Sequence, residues 1–185
     1  MSHCKGIAVL ARLKWVQQHH GAEGTARLLE ALPIGTRETV ERHVLPHGWV
    51  PMLHFIELNV AADRLFGRGD LALCKVMGAW AAAETLPKLF RLFYRLGSPT
   101  FIFERASKLW SAHYDSGMMS LLEPQATSCR LALSDFDAPH RAHCLSVLGW
   151  AGKTAELAGS TLIESDEVRC RTRGDPRCEM VLRWE

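Results

Sequence analysis

Cys144, Glu167, Cys170 and Cys178 are the residues of this 185-residue chain whose types and spacing combine into recognisable chemistry. Three thiols and one carboxylate can form a tetrahedral metal site. Thiolate softness selects zinc, and four protein ligands leave no open position for catalysis. The expected role is therefore structural, inside a sensing or docking domain. Cys170 and Cys178 bracket the turn from Arg171 to Arg177, so a hairpin closed there brings both sulfurs together. Cys144 arrives from the helix before. Glu167 is awkward, because residues three apart on a regular strand face opposite sides. The strand must bulge or end between Glu167 and Cys170 for both to bind. C-x₇-C is a weaker metal signal than paired C-x-x-C. The plain alternatives are Cys144 as a small buried hydrophobe and Glu167 as a solvated charge. A Cys170–Cys178 disulfide is disfavoured in a reducing compartment. Arg169, Arg171, Arg173 and Arg177 either donate to the ligands and offset their negative charge, or form a solvated basic turn. The interleaved Asp166, Asp175 and Glu179 argue against a nucleic-acid surface.

These residues depend on the elements that carry them. Ile7, Leu10, Leu13 and Val16 recur at three-residue steps, which predicts an amphipathic helix from Ile7 to His20 stopped by Gly21. Further helices are expected from Gly24 to Leu32, after an N-cap at Thr36, from Met52 to Phe66, and from Leu71 to Thr85 behind Asp70. Others follow near Pro87 and from Pro99 to His113, while Leu45 to Pro51 reads as a loop. The composition changes character near Glu123-Pro124, and the periodicity changes after Gly117. Met118–Leu122 and Ala126–Leu133 predict a hairpin, Asp137 to Leu157 a helix, and Thr161–Val168 with Cys178–Trp184 a second hairpin. The expected class is α+β: a helical half over residues 1–117, then β-β-α-β-β as an antiparallel sheet over 118–185, within a single domain.

Composition bounds the function. With 22 basic and 20 acidic residues the net charge is +2, which gives no global field for nucleic acid or an anionic membrane. Arg12 and Lys14 interrupt the first apolar stretch, so neither a secretory signal nor a membrane span is expected there. A cytoplasmic location follows, with free or metal-bound thiols. Gly152-Lys153-Thr154 invites a phosphate-loop reading, but the glycine needed five residues earlier is Val147. Lys153 and Thr154 are expected on a helix surface. His19, His20, His43, His47 and His54 are scattered and read as structural, and no acidic pair or nucleophile elbow is marked. Cys4, Cys74 and Cys129 read as buried thiols.

Cys144 through Trp150, with Cys170 through Glu179, resembles the 4-vinyl reductase domain over Asp137 to Glu185; the segment Gly174 to Glu179 is its most typical piece. That family shares a fold type with haem-nitric-oxide-binding-like domains. It includes sensory domains of aromatic-responsive bacterial activators, whose phenol-sensing members hold zinc by Cys, Glu, Cys and Cys. The order and spacing carry over onto Cys144, Glu167, Cys170 and Cys178. The remainder is similar to a paralogous family of unassigned function expanded in myxobacteria, through Leu45 to Pro51, Tyr114 to Gly117, and Gly149-Trp150.

The resemblance implies a small apolar or aromatic ligand in an internal pocket, a structural Zn²⁺, a homodimer, and a protein partner that reads the signal. Phe101, Phe103, Trp110, His113 and Tyr114 lie together in sequence, with Phe136 and Trp150 later. Trp110, His113 and Tyr114 are the expected ligand contacts, against the alternative that such a stripe is core packing. The expected function is small-molecule sensing or a signal-linked interaction. The alternatives are a ligand-free dimerisation scaffold, or an enzyme acting on a tetrapyrrole-like substrate.

Overall fold

The computed structural model describes residues 2–42, 44–86 and 98–185. The helix expected near Pro87, and His43, lie outside the described residues. Strand β1 (His3–Lys5) leads into α1 (Gly6–Ala31), followed by α2 (Ile34–Arg42), β2 (Trp49–Pro51), α3 (Met52–Phe66) and α4 (Ala72–Thr85). Two shorter helices, α5 (Pro99–Phe103) and α6 (Ala106–His113), precede β3 (Met118–Leu122) and β4 (Ser128–Ser134). Helix α7 (Arg141–Leu157), β5 (Leu162–Arg169) and β6 (Cys178–Trp184) complete the chain. The helices-first, sheet-last α+β order and the antiparallel four-stranded sheet β3-β4-β6-β5 match the reading from periodicity.

Local chemistry explains most departures. Gly21 adopts φ 68°, which breaks α1 where the sequence places two helices. Thr36 caps nothing; it is buried in α2, and its hydroxyl meets His54 Nδ1 at 2.6 Å and Glu57. The stretch Pro99 to His113 is two helices, because Arg105 leaves helical geometry at φ −102° and its amide bonds Ile102 in a tighter turn. Asp70 Oδ1 accepts from the Ala72 amide at 2.9 Å, so α4 starts one residue later than read. Helix α7 starts at Arg141 because the His140 ring accepts from the Ala142 amide at 3.2 Å. Part of the Leu45–Pro51 loop is a strand, as Trp49–Pro51 pairs with His3–Lys5. Thr154 is buried rather than on the surface and bonds the Trp150 carbonyl.

One apolar cluster joins both halves, with Val9, Phe55, Leu58 and Met77 from the helices meeting Leu133, Leu148, Met180 and Leu182. Along β6 the even positions turn inward. On the odd side Glu179 is buried under three arginines: Arg177 at 2.7 Å, Arg169 at 3.5 Å and Arg130 at 3.7 Å. Helix α7 packs against α4 and against β5 and β6. The approach to α4 is backbone on backbone: a Cβ at Gly78 would stand 2.0 Å from the Ser146 carbonyl oxygen, and one at Gly149 1.9 Å from that of Lys75. Among the described residues no helix is long and apolar enough to cross a membrane.

Candidate functional site

Cys144 in the first turn of α7, Cys170 just past β5 and Cys178 at the start of β6 converge. Their sulfurs lie within 4.8 Å of one another, and all three residues are buried. The Cys144 and Cys178 sulfurs are 3.5 Å apart. The Cys144 thiol donates to Cys178, which pushes Cys178 down to about 6 and Cys144 up; burial raises Cys170. The turn also supplies donors, since the Arg171 amide points at Cys178 Sγ (3.4 Å) and Thr172 Oγ1 meets Cys170 Sγ (3.0 Å). Such outer contacts orient metal ligands.

Glu167 stands beside this cluster, outside its 4.8 Å circle, with its side chain 5 % exposed. The register resolves its awkward spacing. Glu167 pairs with Met180 and Arg169 with Glu179, so β5 carries one extra residue, Val168, against β6. A one-residue bulge returns residues three apart to one face. Oε2 of Glu167 takes Arg141 at 3.3 Å and Arg173 at 3.6 Å, whereas Oε1 is buried with no hydrogen-bond partner. A buried carboxylate oxygen left without a partner is costly. Three clustered sulfurs beside an orphaned oxygen form a donor set that fits zinc. Of the arginines expected to surround the ligands, Arg173 reaches Glu167 and Arg171 donates to the Phe136 carbonyl at 2.5 Å. Arg169 and Arg177 turn to Glu179, because the outer face of β6 holds that buried carboxylate. Arg141, from α7, is the partner that sequence spacing did not mark.

A second feature lies between α1, α4, α6, α7 and the sheet: a cavity of about 90 Å³, mostly apolar. Trp110, His113 and Tyr114 all line it, joined by Arg12, Ser146 and Trp150. Phe101 does not; it is exposed and stacks on Arg105. Trp110 donates its indole N–H to the Ser116 carbonyl (2.8 Å) and stacks on Tyr114 at 4.1 Å. His113 Nδ1 lies 2.9 Å from the Leu109 carbonyl and donates to it, since that oxygen can only accept. Burial raises the Tyr114 hydroxyl above its ordinary range.

His143 sits behind the cavity wall, fully buried against Phe136, Tyr114 and Trp110. Burial, and then Arg12 and His140, push its pKa down to about 3. Neither ring nitrogen has a partner among the described residues. His143→Met keeps the volume and removes both orphans, so a gain of about 1 kcal/mol is expected. Thermal unfolding checks this: the midpoint rises by roughly 2–4 °C for a chain this size. A fall would mean that the nitrogens are satisfied in solution.

Helices followed by a four-stranded antiparallel sheet, with a cavity between them, give this chain the fold of H-NOX domains. An H-NOX protein from S. oneidensis in the Fe(II)NO ligation state superposes with TM-score 0.73 at 15% identity, covering 98% of this chain and 99% of that one. An Fe(II) unliganded H-NOX protein from K. algicida gives 0.72 at 12% identity, covering 98% and 96%. An oxygen-binding H-NOX domain related to soluble guanylate cyclases gives 0.68 at 10% identity, covering 98% and 95%. No family model matches the chain, and no curated protein matches it. The iron in these ligation states, and a study of haem distortion in the same family, raise haem as a candidate group. Among the described residues the cavity is too small for it. Pockets for drug-sized ligands already run to roughly 300–1,000 Å³, several times the 90 Å³ present here.

Proposed function

We propose that this chain is a small-molecule-sensing domain in which a structural zinc, held by Cys144, Glu167, Cys170 and Cys178, clips the last hairpin to α7. One observation carries the reading: α7 bears a thiol of the cluster at Cys144 and, within the next two turns, four cavity-lining residues, Ser146, Val147, Trp150 and Ala151. A ligand that displaces those residues shifts a helix anchored at its start by metal and locked along its length to α4. Trp110, His113 and Tyr114 contact the ligand from the opposite wall. Zinc supplies cross-linking only, because four protein ligands leave it no open position.

The resemblance to the 4-vinyl reductase domain, and to the myxobacterial paralogues, supports sensing by a cytoplasmic homodimer. Residues 1–117 and 118–185 then act as one domain, and a protein partner reads the change. Neither nucleic acid nor membrane is a partner in this reading. The cavity favours sensing over a filled scaffold. Its size disfavours an enzyme handling a tetrapyrrole-like substrate, and suits a short chain, since the apolar cavity that takes benzene is already larger, roughly 150 Å³.

The test is calorimetric titration with small aromatic and aliphatic compounds, comparing the wild type with Ala151→Leu. The longer side chain would fill the cavity from α7. Binding in the micromolar to millimolar range, lost by at least tenfold in the variant, is expected; unchanged binding in the variant would place the ligand elsewhere.

A further inference from the structure

Arg12 is the least expected lining residue. It lies on α1, 3 % exposed, between Ala8 and Val16 on the inward face. Its Nε donates to Asn59 Oδ1 at 3.2 Å, and Nη2 donates to the Ser146 hydroxyl. Asn59 is itself fixed by donating to the Phe55 carbonyl at 2.7 Å, and the guanidinium lies 4.9 Å from the Phe55 ring centroid. The group is thus held in one orientation by neutral partners. Among the described residues no carboxylate pairs with it.

The acidic groups nearby do not supply the missing charge. Tyr114, Cys74 and Cys4 are the groups whose ionised forms would favour the Arg12 cation. Burial pushes Cys4 and Cys74 up to about 12 and raises Tyr114 as well, so all three are neutral at physiological pH. A buried cation without a counter-ion is unfavourable unless an anion joins it. A guanidinium fork matches a carboxylate with two parallel hydrogen bonds.

We infer that the cavity takes a small monocarboxylate with an apolar body, its carboxylate paired to Arg12 and its body packed against Trp110, Trp150 and Phe103. This rests on the reading of the cavity as a ligand site. A single cation in a mostly apolar space of about 90 Å³ suits a compact monoanion better than a phosphate or a dianion.

The experiment is calorimetric titration of the full chain with matched pairs: butyrate against 1-butanol, and propionate against 1-propanol. The wild type, Arg12→Lys and Arg12→Met are compared. At least tenfold tighter binding of the carboxylate in a pair is expected for the wild type. Arg12→Lys should weaken that preference, and Arg12→Met should abolish or reverse it while still binding the alcohol. Equal affinity for acid and alcohol in the wild type overturns the inference and leaves the small-ligand reading standing. No binding of either sinks both. If Arg12→Met does not fold, the wild-type pairs decide alone.

Discussion

If the proposed zinc is held, Cys178→Ser is expected to lose it together with about 3–5 kcal/mol of stability, because removing one ligand leaves buried charge without its partner. For a chain of this length that is a fall of roughly 6–20 °C in the unfolding midpoint. The sulfur of Cys178 is the hub of the cluster: Cys144 lies 3.5 Å away and the Arg171 amide donates to it. Serine keeps the shape but is a poor zinc ligand beside two thiolates. A strong chelator should lower the wild type to nearly the midpoint of the variant and leave the variant unmoved. Thermal scans with and without chelator check this directly. Equal midpoints for wild type and variant, with chelator inert on both, would reduce the cluster to ordinary buried thiols.

The second large effect is steric. Gly149→Ala puts a methyl group where the Lys75 carbonyl oxygen stands 1.9 Å away, and Gly78→Ala meets the Ser146 carbonyl at 2.0 Å. Both obstacles are backbone, so α4 and α7 must move apart. Overpacking costs about 1–3 kcal/mol when side chains can yield; here about 3–5 kcal/mol is expected for each single change. The pair should cost far less than the sum, since the second methyl enters space opened by the first. Gly35→Ala is the control. It sits in α2 with nothing within 4 Å of the added carbon, and should gain about 0.5–1 kcal/mol from helix propensity alone. Denaturant melts of the wild type and these variants check the pattern. A Gly149→Ala protein as stable as the wild type would mean that the two helices do not touch as described.

The sequence made the element order legible because hydrophobic spacing changes from helical to alternating after Gly117, and the structure follows that change with β3 at Met118–Leu122. Cys144, Cys170 and Cys178 were legible from residue type and from a turn that had to close. The bulge at Val168 was legible only as a requirement, since a strand register depends on its partner, which no single segment records. Trp49–Pro51 was missed as a strand because three residues carry no periodicity; pairing with His3–Lys5 makes it. Arg12 read as an interruption of an apolar stretch. Its signal was present all the same: a charge at helical spacing between Val9 and Val16 must be buried if they are. The Gly78–Gly149 contact was hidden for a different reason, since a helical glycine announces a close approach without naming what approaches.

These parts act through α7, and the clip at its start is the claim on which the rest depends. The most direct test is metal content, measured by elemental analysis on protein purified without chelator or metal-affinity resin, for the wild type and Cys178→Ser. The account predicts about one zinc per chain in the wild type and none in the variant. A metal-free wild type that is fully folded would contradict it.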